Sequence, residues 1–209
     1  METHLETHAE LAAAELEPGV HASITMRHRG ATVRVASSSH AAALCDQAEA
    51  RYEEGPCVAA MTALEPITVE DVNRDPRWSI WAGVAYDEGF DTAVAVPARV
   101  DDVTAVALNL YLKQGRSWSE PDMQLARRRA ELIAASLRAR LTAAAAQPSE
   151  HSNGNPVTPV LEQAVGAIMH ANGVDAGAAR ALLKFVASHT EAPVEEVAAT
   201  ILAAITAPR

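Results

Sequence analysis

Few residues in this chain carry side chains and spacings suited to chemistry. Cys57 follows Gly55-Pro56, where the sequence predicts a helix to begin, and the positive end of a helix favours a thiolate. The competing reading is a small buried hydrophobe. Cys45 is the other cysteine, and exchange between the two needs sulfurs at disulfide distance, which the spacing alone does not establish. His4 and His8 are four residues apart, but Glu6 is not placed as in a zinc-protease helix, and no metal site is expected there. Glu53-Glu54 and Asp101-Asp102 are adjacent carboxylates beside turns, where solvation accounts for them without an acid–base pair. Trp78 and Trp81 share one predicted helix face, and either pack a core or line a pocket between helix and sheet. No CxxC, phosphate loop or GxGxxG occurs. The expectation is a chain that is not an enzyme, with its cofactors open.

The chain has 209 residues, Lys+Arg 17 against Asp+Glu 27, and a formal charge of −10. That length suits one large or two small domains. Its 49% hydrophobic content excludes wholesale disorder. No apolar run is long enough to span a bilayer, and the first residues have neither the basic nor the apolar region of a secretory signal. Two cysteines make no disulfide framework, so a reducing cytoplasm is expected. The acidic balance weighs against general nucleic-acid binding, which rests on cations neutralising phosphates.

Positioning elements follow from periodicity and turn signals. Residues 147–159 hold three prolines and a glycine, and predict a linker between a domain over 1–146 and a smaller one over 160–209. In the first, helix is expected over 6–16, 41–51, 56–61 and from Asp75 to near Gly89, with Asp75 as N-cap and Pro76 in the first turn. Strands are expected over 22–27, 31–36, 67–69, 92–99 and 104–112, the outer four as two hairpins. This is an α+β domain: an antiparallel sheet with flanking helices. A long helix opens at Ser119, with Met123, Ala126, Ala130, Ile133, Leu137 and Leu141 along one seam. Its first half packs on the sheet. The rest, outlasting a small sheet, is expected to pair with a second copy, so that charging Leu137 and Leu141 would give a monomer. Arg127-Arg-Arg129 spreads around the helix and reads as solvated or salt-bridged. In the second domain, helices over 159–171, 176–188 and 193–205 carry apolar stripes and form an all-α three-helix bundle.

Several markers fall in one order. Asp46 is followed by Glu54-Gly-Pro-Cys57, Val69-Glu-Asp-Val72, Asp75-Pro-Arg-Trp78, Val96-Pro97 and Ala107-Leu-Asn-Leu-Tyr111. The stretch from Asp46 to Tyr111 thereby resembles the GAF domain of actinobacterial GAF–ANTAR regulators, and the resemblance extends across most of residues 1–141. Glu53 departs from that subfamily's GEGPC, and Glu49 stands where glutamine is usual. Residues 161–169, LEQAVGAIM, are similar to the ANTAR motif IEQAKGILM, and 178–183 and 197–201 to that module's second and third helices. ANTAR modules bind paired RNA hairpins and prevent transcription termination, and the GAF domain acts as the sensor. The resemblance therefore implies a cytoplasmic signal-responsive transcription regulator that dimerises. It implies RNA contacts at Gln163, Gly166, Arg180 and Lys184, and a GAF pocket at Cys57, Trp78, Trp81 and Tyr111 for an unidentified small molecule. GAF domains take cyclic nucleotides, haem, bilins or amino acids, and no cysteine or histidine here is placed for bilin or haem.

The ANTAR lysine is Val165 in this chain, and the basic turn before the third helix is acidic, Glu191 to Glu196. From Val157 onward, Glu162, Asp175, Glu191, Glu195 and Glu196 outnumber Arg180, Lys184 and Arg209. A module without its cations binds RNA weakly. On this reading Val165→Lys would raise hairpin affinity. Two alternatives stand beside the regulator. One is a dimerisation or protein-interaction module whose GAF pocket is filled by its own side chains. The other is a GAF-fold reductase of free methionine sulfoxide using Cys45 and Cys57.

Overall fold

Alternation of side chains along the strands builds the two faces of the sheet. In β1 (Val20–His28) the residues Ala22, Ile24 and Met26 point one way, and Ser23 and Thr25, equally buried, point the other. The same division runs through β5 (Thr104–Leu112), with Val106, Leu108 and Leu110 against Ala107, Asn109 and Tyr111. It recurs in β4 (Thr92–Arg99), with Val94 and Val96 against Ala93 and Ala95. One face of the sheet is aliphatic and the other is small and polar.

The computed structural model describes residues 4–16, 18–28, 31–113, 117–146, 159–172, 175–177, 179–180, 183–184, 187 and 193–205. The further elements are β2 (Ala31–Ser37), β3 (Ile67–Val69), and the helices α1 (His4–Leu16), α2 (His40–Tyr52), α3 (Pro56–Ala63), α4 (Ser79–Asp87), α5 (Glu120–Ala146), α6 (Pro159–Asn172) and α7 (Val194–Ile205). The strands form one five-stranded sheet in the order β2-β1-β5-β4-β3. Every neighbouring pair is antiparallel. A bulge between Ile24 and Thr25 puts Thr25 opposite Arg34 and Ile24 opposite Ala36. Helices α1 and α5 cover the aliphatic face, and α2, α3 and α4 the polar one.

Most predicted elements stand within a few residues of their expected bounds. Ser119 caps α5, its Oγ accepting from the Asp122 amide at 3.3 Å. The exception is α4, which begins at Ser79 rather than at Asp75, and Asp75 is not its N-cap. The Asp75 carboxylate instead accepts from the Arg77 amide at 3.0 Å and from Arg77 Nε at 2.9 Å. Arg77 in turn donates to the Thr68 carbonyl at 2.9 Å and lies over the Trp78 ring at 4.4 Å. The segment is pinned to β3, so the helix starts after it.

The long seam is a second correction. Ala126, Ala130, Ile133 and Leu137 are fully buried within this one chain, and Met123 and Leu141 pack beside them. The stretch beyond the sheet is covered by α7, not left for a second copy. The basic run behaves as expected: Arg127 faces Glu120 at 3.9 Å and Arg129 pairs with Glu15.

Of the expected linker over 147–159, residues 147–158 lie outside the described residues, as does part of the expected helix over 176–188, while Pro159 begins α6. Ala164, Val165 and Ile168 of α6, Ala179, Leu183, and Val197, Ala198 and Ile201 of α7 are buried. They join the same apolar cluster as Leu5 and Ala9 of α1, Val33 and Val35 of β2, and Leu137. The aliphatic core thus continues past residue 146, and α6 covers the edge strand β2. Among the described residues no helix is long and apolar enough to cross a membrane.

Leu137→Asp places an unpaired carboxylate in this core, at a cost of several kcal/mol. We expect its urea midpoint to fall steeply. A variant of unchanged midpoint and reduced mass would return Leu137 to an intermolecular seam.

Candidate functional site

Helix α2 has two acids on its buried face. Asp46 and Glu49 lie three residues apart among Ala42, Cys45 and Ala48, and both are 0% exposed. One helical turn brings them to the same side, facing the polar side of the sheet. Asp46 Oδ2 accepts from Thr25 Oγ1 at 2.8 Å, and Oδ1 from Tyr111 Oη at 2.7 Å and Asn109 Nδ2 at 3.1 Å. Asn109 Nδ2 also donates to Thr25 Oγ1 at 3.0 Å. These partners come from β1 and β5, which alternation turns toward α2. Burial pushes the Asp46 carboxyl up, against the pull of its hydroxyl donors and of the Arg34 guanidinium. Arg34, itself 6% exposed on β2, is lowered by burial and supported by Asp46 and Glu6.

Glu49 does a different job. Its Oε2 accepts from the amides of Cys57 at 2.8 Å and Val58 at 3.3 Å, the first free donors of α3. Pro56 begins that helix without needing an acceptor. Gly55 before it has φ +143°, and a Cβ there would meet the Glu49 side chain at 2.5 Å. The Gly-Pro-Cys sequence is therefore what lets a buried carboxylate reach the start of α3. Burial, with the nearby Asp46 charge, raises Glu49 to about 8, although Cys57 and Val58 donate to it.

The expected pocket residues divide. Cys57, Trp81 and Tyr111 are 0–1% exposed on the polar side of the sheet, and Trp78 is half-buried, edge-on to Trp81 with ring centroids 6.4 Å apart. Tyr111 stacks at a tilt on Phe90 at 5.0 Å, and His21 meets Phe90 edge-on at 5.2 Å. Burial raises both thiols and the Tyr111 phenol, and the Asp46 and Glu49 carboxylates add to the effect. The thiols are therefore held protonated, contrary to the activation expected for Cys57 at a helix start. Burial and the Glu49 carboxylate at that start outweigh the helix dipole. Both cysteines are free and buried, in different apolar clusters.

Among the described residues, the buried atoms on this side without a hydrogen-bond partner include Glu49 Oε1, Trp81 Nε1 and Asn109 Oδ1. Each such atom costs about 1–3 kcal/mol unless something else bonds it. Of this cluster, Tyr111 and Cys57 are expected pocket residues, and Asp46 and Glu49 enter from the sequence only as a family marker and a departure from it; acids at 46 and 49 among the alanines of α2 are the signal that could have found the site. Thr25, Asn109 and Arg34 carry no such signal, because only the sheet register brings them to the acids.

The expected RNA residues lie elsewhere. Gln163 and Gly166 are exposed on α6, and Lys184 is exposed. Arg180 is bound bidentately by the Glu162 carboxylate at 2.7 and 2.8 Å, and that contact raises it. Val165, which the sequence resemblance sets against the ANTAR lysine, is 2% exposed in the core. Lysine there would bury an ammonium rather than offer it to RNA, so the expected gain from Val165→Lys is withdrawn.

The GAF domain family profile matches residues 2–138. No curated protein matches the chain in sequence. A domain assigned to a two-component sensor histidine kinase protein from Sinorhizobium meliloti 1021 is 18% identical, with a TM-score of 0.55. That match covers 69% of this chain and 95% of the domain, and shows a shared fold. SdiA from Escherichia coli is 16% identical over 98% of this chain and 92% of its own, with a TM-score of 0.49. SdiA in complex with octanoyl-rac-glycerol is 17% identical over 98% and 89%, with a TM-score of 0.47.

Because Glu49 titrates higher folded than unfolded, the folded state holds a proton that the unfolded chain releases between its ordinary value of 4.5 and about 8. Stability due to this group is present below 4.5 and is lost as pH rises through 8, with a slope approaching about 1.4 kcal/mol per pH unit. Glu49→Gln, which keeps an acceptor for the Cys57 amide, should flatten urea stability between pH 5 and 8 and be the more stable chain at pH 8. An unchanged slope would show that Glu49 is ionised throughout.

Proposed function

The chain belongs to the GAF domain family, and on that premise we propose that it is a cytoplasmic signal-responsive regulator. Its GAF half senses a small polar molecule, and its C-terminal helices carry the output. The observation that carries this reading is the set of partnerless buried atoms, Glu49 Oε1, Trp81 Nε1 and Asn109 Oδ1, at one side of the sheet. A ligand bonding them would repack α2 and the inward side of β1 and β5. The opposite sides of those strands belong to the core that α6 and α7 share. Both thiols serve as packing groups in this account, and the protein is not a reductase.

The output is a divergent ANTAR-like three-helix module that acts on a partner other than RNA. Val165 is buried, Arg180 is occupied by Glu162, and the first turn of α7 carries Glu195 and Glu196. Gln163, Gly166 and Lys184 stay exposed, and are what an RNA reading has left. For a homodimer, the large apolar side chains exposed on the helices of the aliphatic side include Leu11 of α1, 43% exposed, and Leu132 of α5, 54% exposed.

Native mass spectrometry of the full chain should show a co-purifying small molecule that Trp81→Phe, which removes one of the three atoms, carries less of. A bare chain from every growth condition would overturn the sensing half. In mobility-shift assays with paired-hairpin RNA, binding should be no tighter than about 1 μM, the range of non-specific contacts. Nanomolar binding with a steep salt slope would restore RNA as the target.

A further inference from the structure

Away from the buried carboxylates, the polar side of the sheet opens into a surface cleft of about 360 Å³, beyond the end of α3. Sheet register builds its floor. Ala105 of β5 stands opposite Arg27 of β1 on one side and Arg99 of β4 on the other. The two arginines therefore rise from the same face, with their Cα atoms about 10 Å apart, twice the spacing between strands. The methyl of Ala105 leaves room between them. Arg27 is held in place, its guanidinium donating to Thr62 Oγ1 at 2.6 Å, while Thr62 donates to the Val58 carbonyl at 2.7 Å. Among the described residues the Arg99 guanidinium makes no ion pair or hydrogen bond. Its backbone carbonyl is fixed by Arg138 at 2.8 Å. Leu64 and Met61, at the end of α3, supply an apolar wall.

We propose that this cleft binds a small hydroxycarboxylate, its carboxylate between Arg27 and Arg99 and its hydroxyl donating to Asp102. Guanidinium groups present parallel donors that match a carboxylate's two oxygens. The cleft also contains Asp101 and Asp102. Asp101 is committed, accepting from the Val103 amide at 2.9 Å in the β4–β5 turn. Asp102 is exposed and makes no such contact among the described residues. Two acids opposite two arginines repel a multiply charged anion and accept a donor from a singly charged one. The volume lies at the small end of ligand pockets, and suits a molecule of this size. The site is separate from the partnerless atoms beneath α2, so its occupancy does not depend on the sensing reading.

Lactate, acetate and inorganic phosphate, titrated at constant ionic strength into the full chain, test this by NMR of the arginine Nε–Hε groups. Lactate should give saturable shifts confined to Arg27 and Arg99, with acetate binding several-fold more weakly and phosphate weakest. Arg99→Ala, at an exposed position, should cost about tenfold or more in lactate affinity. Asp102→Asn should remove lactate's advantage over acetate and improve phosphate binding. Phosphate as the tightest ligand, lactate affinity unchanged in Arg99→Ala, or unsaturable shifts shared with Arg74, Arg127 and Arg128 would each overturn the proposal.

Discussion

Two carboxylates on one turn of α2 are removed from water, and the polar side of the molecule is arranged around satisfying them. A buried acid must be bonded, neutralised or both. Asp46 is bonded by a threonine, an asparagine and a tyrosine from two strands. Glu49 is bonded by the first amides of α3 and is pushed toward neutrality. The consequences reach outward. Gly55 must lack a side chain because Glu49 occupies that space, and Pro56 must start the helix because its missing amide leaves the carboxylate for Cys57 and Val58. The Cys57 thiol, placed beside the same carboxylate, loses the reactivity that a helix start would otherwise favour.

The sheet separates this polar layer from an aliphatic one, residue by residue along each strand. On the aliphatic face the edge strand β2 is covered by α1 and α6 together. The C-terminal helices therefore contribute to the core of the region matched by the family profile. That sharing gives the proposed output a physical route. Movement of β1 by a ligand on one side changes the surface against which α1 and its neighbours pack on the other.

Local pattern made most elements legible. The strands Thr92–Arg99 and Thr104–Leu112 were readable to the residue, since alternation and the intervening Val-Asp-Asp-Val turn leave little freedom. Interactions between distant segments were not. Helix α4 starts late because Arg77 is tied to Thr68 and Asp75, a contact that no helix signal anticipates. The α5 seam suggested a second copy because its cover, α7, comes from a segment far along the chain. Val165 registered as a missing cation, whereas its burial shows a position that could not have offered one. At the candidate site Asp46 and Glu49 stand in the sequence as acids among alanines, but their burial and their partners from strands 21 and 63 residues away are fixed only by register.

A site-resolved ¹³C NMR titration of the Glu49 side-chain carboxyl in the intact protein tests the central claim most directly. The buried, helix-capping arrangement requires a midpoint near 8. A midpoint in the ordinary carboxylate range would mean that Glu49 is ionised and solvated, and would contradict the arrangement of the polar side around it.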